Sequence, residues 1–194
     1  VLFRSILRDS AGLNIGMFLR GGTLNKHILN IHLENYSSLN NFGHIQNYVE
    51  GDSEVVTRII HQGLGSSSEQ FYTCESGRNS QTVVQSITQI SDISNFAEAG
   101  VEVSGMITGN HGRCHAVPTM YNHSDNAKTN FGSNIEYLDA EKIYYLQTRG
   151  MPKSKADFLL VNSHRLKTIN LVDNEEIKNE LKEMFSDVQN GFDV

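Results

Sequence analysis

The residues best equipped for chemistry crowd into one short stretch, His111-Gly112-Arg113-Cys114-His115, with His123 a little further on. A thiolate beside imidazoles is a donor set for zinc or iron. The spacing carries a second reading. On a strand, successive side chains point to opposite faces, so His111, Arg113 and His115 share one face and Cys114 turns to the other. Surface and core packing is then the alternative to a metal centre, and the residues alone leave both open. Cys74, close behind Phe71 and Tyr72, reads as a small buried hydrophobe. His27 and His32, five apart, cannot share a strand face, while His44 and His61 stand singly. The acidic set Asp173, Glu175, Glu176, Glu180 and Glu183 reads as the solvated face of a capped helix rather than a catalytic carboxylate pair.

The sequence contains no Gly-rich phosphate loop, H-E-x-x-H, G-x-S-x-G or paired C-x-x-C. The missing phosphate loop speaks against an NTPase of the common type. The 22 acidic and 16 basic side chains leave a net charge of −6. That balance argues against a broad nucleic-acid footprint. No run of 18 apolar residues occurs, so no membrane-spanning helix is expected. Two cysteines 40 positions apart suit reduced thiols in a cytoplasmic protein better than a disulfide framework. The opening Val1-Leu2-Phe3-Arg4-Ser5 lacks both an initiating Met and the order of a secretion signal, so a preceding segment is expected.

These residues need elements to hold them, and the chain has two textures. From about residue 12 to 136 it reads as short strands. Alternating or nearly alternating runs occupy residues 13–19, 27–33, 54–60, 70–73, 82–90, 101–107 and 116–121. Turn chemistry separates them: Gly21-Gly22, Gly51-Asp52, Gly63-Leu64-Gly65-Ser66, Ser76-Gly77-Arg78-Asn79 and Gly109-Asn110. A sandwich and a solenoid both fit. The 19 Asn and 19 Ser favour a solenoid, in which small polar residues stack at repeated corners, although no fixed period is visible.

From residue 138 the grain is helical. Asp139 caps a first helix, with Leu138 and Ile143 as a hydrophobic staple and Gly150 as its end. Pro152 opens a second helix over about 153–162. A third is expected over about 174–188, capped by Asp173 with Glu176, with Val172 and Ile177 as its staple. Ile177, Leu181, Met184, Phe185 and Val188 form its apolar stripe.

The second half carries a further signal. Cys114-His115-Ala116-Val117-Pro118 precedes Asp139-Ala140-Glu141-Lys142-Ile143-Tyr144-Tyr145-Leu146-Gln147-Thr148-Arg149-Gly150, and then Lys155-Ala156-Asp157-Phe158-Leu159-Leu160-Val161. This text resembles the SufB/SufD family of iron–sulfur cluster assembly scaffolds. There an H-A-x-P strand leads to an H-E-A or H-G-A turn, a Y-L-x-x-R-G helix end and an E-E-A helix. The likeness is closest over about residues 95–162 and most specific at Tyr145-Leu146 with Arg149-Gly150. It implies a mainly β chain: a right-handed parallel β-helix over 1–136, followed by a small C-terminal helical domain over 137–194. It also implies a SufC-type ABC ATPase docked on the helices, and a SufB/SufD-like chain, or a second copy, paired through the β-helix as a dimer.

The chain departs from that pattern at the family's site. The histidine triplet falls on Phe131-Gly132-Ser133, the ligand cysteine of cluster-building members falls near Val103, and Asn162-Ser163 replaces the usual Gly-Phe. The expectation is therefore a non-enzymatic scaffold. Its partner contacts are Tyr145, Leu146, Arg149, Phe158 and Met184. Glu102, Cys114 and His115 are substitute metal ligands for an iron–sulfur cluster bound transiently. The rival expectations are a carbohydrate-active or acyl-transferring enzyme on a solenoid, and a small Cys/His metal module.

Overall fold

The computed structural model describes residues 1–21, 24–48 and 50–186. Ten strands come first: β1 (Leu2–Leu7), β2 (Gly12–Arg20), β3 (Leu24–Leu33), β4 (Ser38–Asn47), β5 (Gly51–His61), β6 (Ser67–Ser76), β7 (Ser80–Ile90), β8 (Glu98–Ile107), β9 (Arg113–Asn122) and β10 (Lys128–Tyr137). Odd-numbered strands form one parallel sheet in the order β1-β3-β5-β7-β9, and even-numbered strands form the other, β10-β8-β6-β4-β2. Each coil thus contributes one strand to each sheet, and five coils stack into a parallel β-solenoid. The solenoid expectation holds and the sandwich alternative falls.

Parallel in-register stacking places residues in columns. Leu19, Ile45, Cys74, Gly105 and Ile135 form one such column along the inner face of the even sheet. Between the sheets lie Ile45, Val55, Tyr72, Cys74, Val84, Val101 and Val103, all buried. Ile31, Leu33, Leu39 and Ile59 fill the earlier coils. Part of the interior is polar and satisfied: Thr57 donates to Gln70 at 2.6 Å, and His61 meets Ser66 and Ser68 at 2.8 Å each.

Polar residues do repeat at the corners. Ser37, Ser66 and Ser94 are all buried there. Ser37 Oγ donates to the Glu34 carbonyl at 2.7 Å and Ser94 Oγ to the His61 carbonyl at 2.9 Å. Ser10, Tyr36, Gly65 and Phe96 turn equivalent corners with φ of 54° to 62°. Backbone bonds from Ser10 to Asn35, Tyr36 to Leu64 and Gly65 to Asn95 carry the ladder through those corners. Left-handed φ at Ser10 and Tyr36 is tolerated because neighbouring coils supply these partners.

Three helices follow: α1 (Ala140–Thr148), α2 (Lys153–Ile169) and α3 (Glu175–Met184). Asp139 caps α1 as expected, accepting from the Glu141 and Lys142 amides at 2.9 and 3.2 Å. Gly150 closes it with φ 86°. Two expectations need correction. First, α2 runs to Ile169 rather than stopping near 162, because its last two turns find partners on the even sheet. Second, the α3 cap is Asn174 rather than Asp173, with Asn174 Oδ1 accepting from Glu176 and Ile177 at 2.9 and 3.1 Å. Leu181 and Phe185 of the apolar stripe are buried, whereas Ile177 and Met184 are close to half exposed. Val188 lies outside the described residues.

Candidate functional site

The helices sit on the outer face of the even sheet, where α2 crosses β4 and β6. Phe18 and Phe42 stand on that face edge-to-face, 6.3 Å between centroids. The fastening itself is polar. Arg165, on α2, is fully buried. Its Nε donates to Glu75 Oε1 at 2.8 Å, and its Nη2 donates to Glu75 Oε2 at 2.9 Å and to the Tyr48 hydroxyl at 2.7 Å. Tyr48 in turn donates to Glu75 Oε2 at 2.5 Å. Arg165 Nη1 donates to the Phe185 carbonyl just past α3. A two-pronged guanidinium–carboxylate pair of this kind fixes orientation as well as position. Burial, and then the Glu75 charge, push the Tyr48 phenol well above its ordinary range, so it stays a donor.

Two histidines complete the contact. His44 Nδ1 meets Thr73 Oγ1 at 2.8 Å, and Thr73 meets Thr168 of α2 at 2.9 Å. His164 Nε2 meets Ser104 Oγ at 3.1 Å. The Phe185 ring stands edge-on to His44 at 4.9 Å. Burial, reinforced by Arg165, lowers His44 to about 3. Burial likewise lowers His164 to about 4. Both are therefore neutral at neutral pH. His44 Nε2 lies 3.4 Å from Glu75 Oε1, so this contact is not an ion pair there. Among the described residues, His44 Nε2 and His164 Nδ1 find no hydrogen-bond partner. These buried groups join α2 to β4, β6 and β8.

Beyond this contact, a cleft of about 770 Å³ opens between the even sheet and the α2–α3 connection, with Gly16, Phe42, Phe71, Leu171 and Ile177 among its lining. Farther out, Arg149 lies over the Tyr145 ring, 5.4 Å from its centroid. Tyr145, Arg149 and Met184 are exposed, while Leu146 and Phe158 are half-buried. Arg20 Nη1 donates to the Met184 carbonyl at 2.5 Å, tying the end of α3 to β2.

The residues expected as metal ligands lie in three compartments. Glu102 is exposed on the outer face of the even sheet. His115 is exposed on the outer face of the odd sheet. Cys114 points into the interior and is buried. Its Sγ donates to Ser76 Oγ at 3.2 Å. It also meets Cys74, and both thiols are free. The hydrogen bond between them, with burial, holds Cys74 well above the usual thiol range. Gly105 makes room for the pair: a Cβ there would stand 3.1 Å from Cys114 Cβ and 3.4 Å from Cys74 Sγ. His111 is not on β9; it occupies the preceding turn with φ 61°. Among the described residues, no three His, Cys, Asp or Glu side chains gather closely enough to hold a metal.

Phe131-Gly132-Ser133 lies in β10, paired with Val101, Glu102 and Val103 of β8. Val103, near the position of the family's ligand cysteine, is a fully buried core residue. β10 is the open edge of the even sheet, and its Phe131, Ile135 and Tyr137 are exposed. Sequence reasoning missed Glu75, Tyr48, Arg165 and His164, because no local spacing joins residues 48, 75 and 165.

A family model described as the SUF system FeS cluster assembly SufBD core domain matches residues 3–164, which span all ten strands, α1 and most of α2. The chain belongs to the SufBD core family. No curated protein matches it. Membership gives the chain a role in SUF iron–sulfur cluster assembly. In this chain the helical cap is held on the matched core by the buried Arg165–Glu75 pair, with Arg165 just past the matched residues. Among the described residues, no helix is long and apolar enough to cross a membrane.

Proposed function

We propose that this chain is a non-enzymatic scaffold subunit of cluster assembly, a SufD-like member that docks a SufC-type ATPase through its helical cap. Family membership supports the role, and the exposed Tyr145–Arg149 pair on α1 supports the surface. The observation that carries the reading is the Arg165–Glu75 fastening: a partner gripping the helices pulls directly on β6 of the rod. ATP-driven closure of the partner can shift the rod only if binding differs between the two states. The apolar open edge at β10 supports pairing with a SufB/SufD-like chain or a second copy. In this reading the cluster is cargo, shared transiently with a partner, to which Glu102, Cys114 or His115 contributes singly. Cytoplasmic placement belongs to the same proposal.

Co-expression with a SufC-type ATPase tests it. The intact chain is expected to co-elute with the ATPase, and Leu146→Asp, Phe158→Asp or Met184→Asp to lose it while the solenoid stays folded. Intact chain that never co-elutes would remove the proposal.

A further inference from the structure

The outer face of the odd sheet carries a feature that the assembly role does not use. Arg4 on β1, Asn30 on β3 and Arg58 on β5 are register partners across three adjacent strands. Parallel strands lie about 4.8 Å apart, so the two arginine backbones stand roughly 10 Å from each other. That distance lets two guanidinium groups converge over the residue between them. Arg8, just beyond β1, joins them around a depression of about 720 Å³ whose lining includes Asn30, His32 and Ile60.

The charges there are uncompensated. Arg4, Arg8 and Arg58 are exposed, and among the described residues none of their side chains has a hydrogen bond or an ion pair. Two lysines elsewhere on the strands behave otherwise. Lys26 on the same sheet holds Glu54 at 2.6 Å, and Lys128 on β10 holds Glu98 at 2.8 Å. Three like charges gathered on a chain of net charge −6 repel one another, and among the described residues no ion pair offsets them. At the floor, Asn30 Oδ1 is a buried acceptor with no hydrogen-bond partner among the described residues, so it can be met by a protonated phosphate oxygen but not by an ionised one. His32 Nδ1 is held 3.1 Å from Gln62 Oε1, which fixes its ring in the lining. Planar guanidinium forks match the oxygens of phosphate groups two at a time, which lysines cannot do.

We infer that this depression binds a diphosphate-bearing small molecule, one phosphate group held between Arg4 and Arg58 and the second met by Arg8. Ile6 and Ile60 leave apolar surface beside the anion for the rest of the ligand.

Titration calorimetry of the chain with inorganic pyrophosphate at low ionic strength tests this. Pyrophosphate is expected to bind, with affinity falling as salt rises. Arg4→Gln and Arg58→Gln should each weaken binding roughly tenfold or more. Arg8→Gln should bring pyrophosphate down to the affinity of inorganic phosphate. Arg78→Gln, exposed at a distant turn, should change nothing. Thermal melts of all four variants should match the parent, since these side chains cover no core. Three results would overturn the inference: no binding at millimolar pyrophosphate, binding indifferent to Arg4→Gln and Arg58→Gln, or a Glu-rich peptide bound where pyrophosphate is not.

Discussion

Replacing Glu75 by Gln would leave the Arg165 guanidinium buried without its counter-charge. Stripping one partner from a buried pair costs about 3–5 kcal/mol, whereas replacing both with apolar residues of similar size is often nearly neutral. Glu75→Gln should therefore lower stability by that order in urea unfolding, and the double variant Glu75→Met with Arg165→Met should recover most of the loss. Equal losses in both would mean that the pair contributes packing alone. The buried histidines set a pH dependence of known sign. His44, His61 and His164 are lowered by burial from 6.5 to about 3, 4 and 4. Below pH 6.5 the unfolded chain takes up protons that the folded chain refuses. Their stabilising contribution is complete above 6.5 and is lost as pH falls toward those folded values, by on the order of 1–3 kcal/mol each. Melting temperature should drop steadily between neutral pH and about pH 4.5; a flat profile would contradict neutral burial. None of this was legible locally. His44 stands alone in the sequence, and its partners lie 29 and 31 positions away, with Arg165 farther still. The alternation around Cys114 did separate it from His115, and the structure keeps that separation.

At the scale of elements, the strands that alternate cleanly were readable, and seven of the ten appear in the sequence pattern. β4 was not. Its Asn40, Asn41, His44, Gln46 and Asn47 look like loop residues, yet most of the strand is buried because one face lines the interior and the other lies under the cap. The sequence pattern ends α2 near residue 162 for a related reason. Its buried positions include Asp157, His164, Arg165 and Thr168, a polar stripe that hydropathy cannot recognise. The repeat stayed hidden because the coils lengthen: Leu2 pairs with Ile28, 26 positions on, Gly51 with Ser80, 29 on, and Gln81 with Arg113, 32 on. Within this stack Gly105 is a packing requirement. A Cβ would press on Cys114, Ile135 and Cys74 at 3.1 to 3.4 Å. Gly105→Val should cost about 1–3 kcal/mol through overpacking of the last coils, measured by thermal melt. A neutral outcome would show that β10 yields freely. On α3, Asn174→Ala should cost about 1 kcal/mol, the usual value of a lost side-chain cap, whereas Asp173→Ala should be nearly silent.

For the whole molecule, the proposed role needs a rod with two separate contact surfaces. One is the exposed face of the cap around Tyr145 and Arg149, coupled to β6 through a buried ion pair. The other is the open edge at β10, with Phe131, Ile135 and Tyr137 in solvent. The family pattern at Tyr145-Leu146 and Arg149-Gly150 is what proposes the first surface, and the structure adds that Tyr145 and Arg149 are exposed there. The second became visible only when stacking showed which coil is last. The measurement that tests this most directly is paired: affinity for a SufC-type ATPase by surface plasmon resonance and self- or cross-association by sedimentation, on the same variants. Tyr145→Asp with Arg149→Asp is predicted to abolish ATPase binding and leave association intact, and Ile135→Asp to do the reverse. Both properties failing together in a folded variant, or an intact chain that binds no ATPase, would contradict the account.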